Sequence, residues 1–393
     1  MITNESQLIR FLARLEPGAH IRDKIFFILK KDLKWDRFLD NIRLSGVGGL
    51  AYKTVDSDEQ IKQAIPKVVQ DQLRNIYYCT LRRNLIFAQA LEENVRLLRA
   101  ENIELIIFKG LLLAEIVYRD PGMRPMSDID VMAREEDLKR IDLIFKGIGY
   151  SAGVGSKDGL EVSFNSQRNS ILYFRTNKTT VYWHLYWHFI NTLPYNRAIL
   201  DKIDMEKIWK DSGEIELGKI CLRTFSLYHQ VIYLCLHAMQ HSFRPLILLC
   251  DINELISQNS QRIDWGVLEQ EAREFGLAKH LYYGLYFASK IMELKVPQQV
   301  LERLKPKKIS VFERKFIDSV LEDKPNFYGG SMVYLGMNEN IKDRLEFLLR
   351  VILPSRKEMA AIRQKEPVQV TFRDYFNRFS AASAHALRFI INK

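Results

Sequence analysis

Two neighbouring segments of the sequence decide the fold, ELIIFKG at 104–110 and RPMSDIDVMA at 124–133. The runs ELIIF (104–108) and DIDVMA (128–133) are short and rich in apolar residues, which predicts two buried strands. LLLAEIVYRD between them has helical spacing, and an amphipathic helix follows at 134–150. Strand-like pieces recur near 160–164, 170–175 and 180–188, so this order predicts a small mixed sheet with helices packed against it.

Helical patterns flank this central region on both sides. The N-terminal part contains a long helix from about Lys67 to Ala100, with no Gly or Pro in its interior. From about residue 195 onward, helical spacing returns and continues towards the C-terminus. We therefore predict an α+β protein with an N-terminal helical segment (1–95), a mixed α/β core (96–195) and a C-terminal helical domain (196–393).

Composition narrows the class of protein. The chain has 393 residues, of which 47% are hydrophobic and 27% charged, which excludes a disordered chain, a collagen and a small disulfide scaffold. The net charge of +10 favours anionic partners such as nucleotides, phosphates, nucleic acid or a membrane surface. The four cysteines form no CxxC pair, and no apolar run approaches the roughly 18–20 residues of a membrane span. We expect a cytoplasmic protein that does not bind membranes.

Asp128 and Asp130 are the first candidate site residues. Side chains alternate between the two faces of a strand, so these two carboxylates share one face while Ile129 points to the core. Two carboxylates so close repel each other unless a cation lies between them. Oxygen ligands suit Mg²⁺ or Mn²⁺ better than Zn²⁺. A solvated strand end or a helix cap is the alternative interpretation of the pair.

The second half of the predicted site is the turn at Lys109-Gly110. A glycine lets the backbone approach a phosphate, and the N-terminus of the next helix points free N–H groups at it. Lys109 and Arg124 add positive charge, and Ser127 adds a hydroxyl donor. These residues together are suited to holding a triphosphate against a metal. In the alternative interpretations Lys109 is only the polar end of a buried strand, Arg124 pairs with Asp120, and Ser127 caps the turn.

Here the sequence resembles the polymerase-beta-like nucleotidyltransferase fold, and in particular a large bacterial family of nucleotidyltransferases. That family has a strand ending in Lys-Gly, a helix with a Tyr near its end, an Arg-Pro-x-x-Asp-x-Asp segment and a later strand reading acidic-x-His-Trp. The matching segments are Lys109-Gly110, Tyr118-Arg119-Asp120, 124–130 and Val181-Tyr182-Trp183-His184. The resemblance covers roughly residues 70–380.

The resemblance implies transfer of a nucleoside monophosphate from an NTP to an acceptor, with release of pyrophosphate. Asp128 and Asp130 would hold two metal ions, and the acceptor would be a small molecule, a peptide or a protein. The residues that would contact the nucleotide are Lys109, Gly110, Arg124 and Ser127. The sequence names neither the acceptor, nor the preferred base, nor the oligomeric state.

One position departs from the family pattern. The superfamily supplies a third carboxylate from the later strand, and the matching residue here is Tyr182. No Asp or Glu occurs between Glu161 and Asp201, and a phenol is a poor Mg²⁺ ligand and a poor base at neutral pH. His184 or Glu161 could replace the acid. Otherwise the protein binds a nucleotide or another partner without turnover.

His237 and His241 are auxiliary candidates, because residues four apart share one face of a helix. With Asp251 they could form a metal site, or they could pack in the core, contact a neighbouring domain or face the substrate. Trp183, Tyr186, Trp187 and His188 make the later strand rich in aromatic and imidazole rings, which indicates core packing or, as the alternative, stacking on a base. The positive charge leaves an RNA-binding or RNA-modifying protein as a further interpretation.

Overall fold

The computed structural model describes residues 2–153, 169–177, 179–190 and 197–324, together with 353, 356, 359, 369–377 and 380. The strand-like piece predicted near 160–164 lies outside these residues. Helix and strand labels below follow chain order.

Six helices precede the sheet. They are α1 (Asn4–Leu12), α2 (Ala19–Leu29), α3 (Trp35–Ser45), α4 (Gly48–Asp56), α5 (Glu59–Ala64) and α6 (Lys67–Ala100). The predicted long helix is confirmed as α6, whose 34 residues give it a length of about 51 Å. It begins directly after Pro66, which has no N–H group to leave unpaired at a helix start.

The described residues contain one mixed sheet of seven strands in the order β3-β4-β5-β2-β1-β7-β6. The strands are β1 (Ile106–Ile107), β2 (Ile129–Met132), β3 (Ser151–Ala152), β4 (Ser170–Thr176), β5 (Thr180–Tyr186), β6 (Gly213–Leu217) and β7 (Ile220–Thr224). β2 lies near the middle, antiparallel to β1 and parallel to β5. The predicted α+β class and the mixed sheet are therefore confirmed.

The hairpin of β6 and β7 is a difference from the sequence prediction, which placed helices from about residue 195 onward. The two strands are antiparallel and are joined by the two-residue turn Gly218-Lys219. Strand β7 also pairs with β1 in parallel. Gly218 has φ +59°, the positive value that tight hairpin turns require. Five-residue strands give only a short alternating pattern, which the long helical patterns on either side obscured.

The remaining helices lie between the strands or after the last of them. They are α7 (Gly110–Ile116), α8 (Leu138–Gly147), α9 (Arg197–Leu200), α10 (Met205–Asp211), α11 (Leu227–Gln240), α12 (Ile247–Gln258), α13 (Trp265–Glu274), α14 (Ala278–Met292), α15 (Gln298–Leu304) and α16 (Val311–Leu321). None of the described helices offers a bilayer the length of apolar surface that a transmembrane span requires.

Two large apolar cores lie on either side of the central strands. One joins the N-terminal helices to the C-terminal helices, and the other joins the sheet to α8 and the second half of α6. Helix α6 contributes Val69 and Leu73 to the first core, and Phe87 and Leu91 to the second. Residue 95, where the sequence analysis ended the N-terminal segment, lies inside this helix. The proposed division into three domains stays a prediction.

Candidate active site

Asp128 and Asp130 lie at the start of the central strand β2. Ile129 between them is fully buried in the sheet core, so the two carboxylates project from the opposite face. Asp130 is buried, whereas the side chain of Asp128 is 24% exposed. The strand therefore presents one shielded and one accessible carboxylate on the same side of the sheet.

The corner at Lys109-Gly110 faces these aspartates. The Lys109 ammonium lies 2.7 Å from Oδ1 of Asp130 and is itself buried. A Cβ atom added at Gly110 would lie 3.6 Å from Oδ2 of Asp130 and 3.5 Å from the backbone oxygen of Asp128. A side chain at Gly110 would thus lie in van der Waals contact with the carboxylate of Asp130.

Strand β5 brings two further polar side chains to the same place. The parallel register pairs Asp130 with His184, and Nδ1 of His184 lies 3.5 Å from Oδ2 of Asp128 and 3.8 Å from Oδ1 of Asp130. The Tyr186 hydroxyl lies 3.1 Å from Oδ1 of Asp130 and 2.8 Å from Nδ1 of His184, and it accepts a hydrogen bond from Lys109 over 3.0 Å. Asp128, Asp130 and His184 each offer one potential metal-ligand atom within 4.8 Å of the others.

The pKa values of the two carboxylates shift in opposite directions. Burial disfavours the charged form of Asp128, but the hydrogen bond from His184 and the charge of Lys109 outweigh it and lower its pKa to about 2. Burial raises the pKa of Asp130, and the neighbouring Asp128 adds to this effect. Burial also disfavours the charged form of Lys109, yet Asp130 overcomes it and raises the pKa of this lysine above its usual range.

Tyr182 does not reach this group. Its side chain is 38% exposed and its ring packs near Phe174, with 6.3 Å between the ring centroids. It shares a strand face with His184, but the register places His184 beside Asp130. The residue of β5 that lies beside the aspartates is therefore His184 and not Tyr182. Glu161, the other proposed replacement, lies outside the described residues.

Arg124 and Ser127 occupy the loop before β2. Nε and Nη2 of Arg124 bind the two carboxylate oxygens of Asp251 at 2.9 and 2.8 Å, and both side chains are buried. Asp120, the alternative partner, instead contacts Lys53 at 2.9 Å. The Ser127 hydroxyl donates to Oδ1 of Asp128 over 2.8 Å. A nucleotide contact for Arg124 stays a prediction, and the guanidinium already joins this loop to α12.

Helix α11 presents an aromatic and imidazole face towards the aspartates. The rings of Tyr233 and His237 are nearly parallel at 6.2 Å, and His241 lies edge-on to His237 at 4.6 Å. The Lys109 ammonium lies 5.6 Å from the centre of the Tyr233 ring. Burial, followed by the charge of Lys109, lowers the pKa of both histidines. These side chains therefore lie close enough to Lys109 to be influenced by its charge.

Asp251 does not join the two histidines in one metal site among the described residues. Its carboxylate binds Arg124 and also accepts a hydrogen bond from the Tyr118 hydroxyl over 2.8 Å. Asp251 therefore binds Arg124 and Tyr118, and among the described residues it forms no metal-ligand group with His237 and His241.

A comparison with protein families identifies the family of this chain. Residues 31–293, which include every site residue described above, match the family described as uncharacterised nucleotidyltransferase. The chain belongs to this nucleotidyltransferase family. A comparison with curated proteins found no match.

Two residues beside the aspartates and His184, Tyr186 and Ser170, were not among the predicted site residues. The sequence placed Tyr186 in an aromatic strand, with core packing or stacking on a base as its interpretations, and gave no role to Ser170, 2.9 Å from Nε2 of His184. The alternation of β5 carries a signal for Tyr186, since residues two apart share one face of a strand. Trp183, one residue before His184, is fully buried in the sheet core, which agrees with the core-packing interpretation.

A second group of potential ligands in this nucleotidyltransferase lies at Asp211, His229 and Glu271. The Lys207 ammonium contacts Glu271 and lies 3.7 Å from Asp211. An internal lysine thus lies beside these carboxylates, as Lys109 lies beside Asp130.

Proposed function

We propose that the protein transfers a nucleoside monophosphate from an NTP to an acceptor and releases pyrophosphate. The observation that supports this most is the convergence of Asp128 and Asp130 on the corner at Lys109-Gly110. The wider resemblance to polymerase-beta-like enzymes supports the same reaction.

The donor atoms fit a divalent cation. Two carboxylates and an imidazole nitrogen lie within 4.8 Å of one another, and Asp128, with its pKa of about 2, is ionised at neutral pH. Asp128 and Asp130 would hold Mg²⁺ or Mn²⁺, which would neutralise charge on the phosphates and on the leaving pyrophosphate. No covalent intermediate on the protein is needed, since positioning and charge stabilisation are sufficient.

The reaction forms one bond and breaks one. A nucleophilic oxygen or nitrogen of the acceptor attacks the α-phosphorus, and the bond from that phosphorus to the oxygen bridging to the β-phosphate breaks. The bridging oxygen keeps the electron pair and leaves as part of pyrophosphate, while the acceptor loses its proton to solvent. Lys109 offsets the negative charge of Asp130, and Gly110 leaves room for the triphosphate beside it.

A nucleotide-binding protein without turnover is the second candidate. It is favoured because an imidazole, and not a third carboxylate, lies beside the two aspartates in the described residues. The two candidates differ in one observable, the release of pyrophosphate.

The test incubates the purified protein with Mg²⁺ or Mn²⁺, each NTP in turn and a boiled cell extract as the source of acceptors. We expect pyrophosphate release that falls by at least about a hundredfold in Asp128→Asn, since the cation loses a charged ligand. Asp137→Asn is the matched control, because Asp137 pairs with Arg140 at 3.1 Å outside the site. Tight NTP binding with no pyrophosphate favours the non-catalytic candidate, and full release by Asp128→Asn contradicts the proposed site.

A further inference from the structure

We infer that His184 is a metal ligand and that its imidazole gives this site a preference for Mn²⁺ over Mg²⁺. The inference rests on the proposed function, because it concerns the cation held by the same two aspartates. It replaces the missing third carboxylate by a nitrogen ligand and so changes which ion the site selects.

The position of the imidazole nitrogen is the first support. Nδ1 of His184 lies near both carboxylates, 3.5 Å from Oδ2 of Asp128 and 3.8 Å from Oδ1 of Asp130, and 2.8 Å from the Tyr186 hydroxyl. A cation between these atoms needs only small side-chain movements to reach ordinary ligand distances of roughly 2.0–2.2 Å. The side chain of His184 is 24% exposed, so an ion can reach it from solvent.

The second ring nitrogen of His184, Nε2, has a hydrogen-bond partner within the protein. Nε2 of His184 lies 2.9 Å from the hydroxyl of Ser170, a buried residue on the adjacent strand β4. When Nε2 carries the ring proton and donates it to Ser170, Nδ1 is deprotonated, gives up its hydrogen bond to Asp128 and has a lone pair that a cation beside the carboxylates can bind. Metal-binding histidines characteristically use their second ring nitrogen in this way, which fixes both the tautomer and the ring orientation.

The Tyr186 hydroxyl can keep a hydrogen-bond partner for its proton when an ion binds to His184. Its hydroxyl accepts a hydrogen bond from Lys109 and has one proton, for which Nδ1 of His184 and Oδ1 of Asp130 compete. Once Nδ1 binds a cation, that proton can be donated to Asp130 over 3.1 Å. Ligation by His184 therefore leaves no hydrogen-bond donor of Tyr186 unpaired.

The chemistry of the ligands then determines the ion. Mg²⁺ favours oxygen ligands and strict octahedral geometry, whereas an imidazole nitrogen is a better ligand for transition ions. Mn²⁺ shares the affinity of Mg²⁺ for carboxylates but is a transition ion, so of these two ions it loses less by taking one imidazole ligand beside two aspartates.

The test measures metal binding by the full-length protein without nucleotide. Electron paramagnetic resonance gives the Kd for Mn²⁺, and competition gives the Kd for Mg²⁺. Electron spin-echo modulation of the Mn²⁺-loaded wild-type protein should show coupling to an imidazole nitrogen. Its absence would overturn the inference without any variant, so the test does not depend on the folding of a mutant.

Two aspartate substitutions on the same strand face provide the decisive pair. His184→Asp should lower the preference for Mn²⁺ over Mg²⁺ by at least about tenfold and remove the nitrogen coupling. Tyr182→Asp, on the exposed part of β5, should leave the preference unchanged. An unchanged preference in His184→Asp, or an equal loss in Tyr182→Asp, contradicts the inference.

Ser170→Ala adds a milder probe of the same ligand. Loss of its hydrogen bond should weaken Mn²⁺ binding by about tenfold while the nitrogen coupling persists. Because nucleotide is absent, selectivity that depends on His184 without pyrophosphate release would reject only the proposed function. Pyrophosphate release with no nitrogen ligand would reject only this inference.

Discussion

Lys109 has an unfavourable backbone conformation, and the contacts of its side chain give a reason for it. It has φ +55° and ψ −146°, and the next residue, Gly110, has φ +23°. Residues other than glycine rarely adopt such angles, and each instance costs about 1–3 kcal/mol. The buried ammonium beside Asp130 gives a reason for a lysine at this position despite the backbone cost.

The strained backbone at Lys109 predicts that two substitutions of this residue have the same effect on activity but different effects on stability. Lys109→Ala and Lys109→Gly both remove the ammonium, and we expect both to lose pyrophosphate release. The glycine variant should nevertheless be more stable than the alanine variant by about 1–2 kcal/mol, because only glycine adopts this conformation without cost. Urea unfolding measures the difference.

Gln89 provides the matched control, since it lies exposed in the regular helix α6. There Gln89→Gly should be less stable than Gln89→Ala by about 1 kcal/mol, the reverse order. Equal stability of the two variants at position 109 would show that the backbone there is not strained.

At the scale of helices and strands, the sequence predicted local features better than distant ones. Helix α6 was predicted at both ends, because Pro66 and the uninterrupted helical pattern are local signals. Strand β1 has only two residues and pairs with β7, which is more than a hundred residues away in the chain. Alternation predicted that Asp128 and Asp130 share a face, but the register between β2 and β5 is set by tertiary pairing. For that reason the sequence could not decide that His184, and not Tyr182, lies beside Asp130.

The ion pair of Arg124 with Asp251 connects the loop before β2 to helix α12. Both side chains are buried, so removing one partner leaves an uncompensated charge. We expect Arg124→Met to lower the free energy of unfolding by about 3–5 kcal/mol in urea denaturation. The double variant Arg124→Met with Asp251→Asn should recover about 1 kcal/mol or more, because the stranded charge is gone and the amide oxygen still accepts from Tyr118.

A surface pair serves as the comparison for this prediction. Lys67 and Asp71 are 3.1 Å apart, with side chains 75% and 55% exposed. Lys67→Ala should cost less than about 1 kcal/mol, since solvent screens both charges. A similar small cost for Arg124→Met would mean that the buried pair does not hold the loop to the helix.

Across the whole molecule, buried histidines make stability depend on pH. Burial lowers the pKa of His280 to about 3, whereas an unfolded histidine titrates near pH 6.5. Between these values the unfolded chain binds a proton that the folded protein excludes. Stability is therefore retained above pH 6.5 and falls as the pH drops below it.

His280→Gln removes this titration. Between pH 7.5 and pH 5, we expect the variant to lose about 2 kcal/mol less unfolding free energy than the wild-type protein. Urea unfolding at both pH values measures this difference of differences, which a general destabilisation by the substitution does not affect. Equal losses in His280→Gln and wild type would contradict the prediction.

The continuity of α6 also limits how this chain can be cut or recombined. Residues 67–100 are one helix that contributes side chains to both cores, so a fragment starting at residue 96 would lack most of the helix residues that pack against the sheet. The shortest piece that keeps the site intact has to begin upstream of Lys67. Chimeras with relatives should accept crossovers in the loops before Lys67 or after Ala100, whereas a crossover within the helix would pair mismatched halves of two interiors.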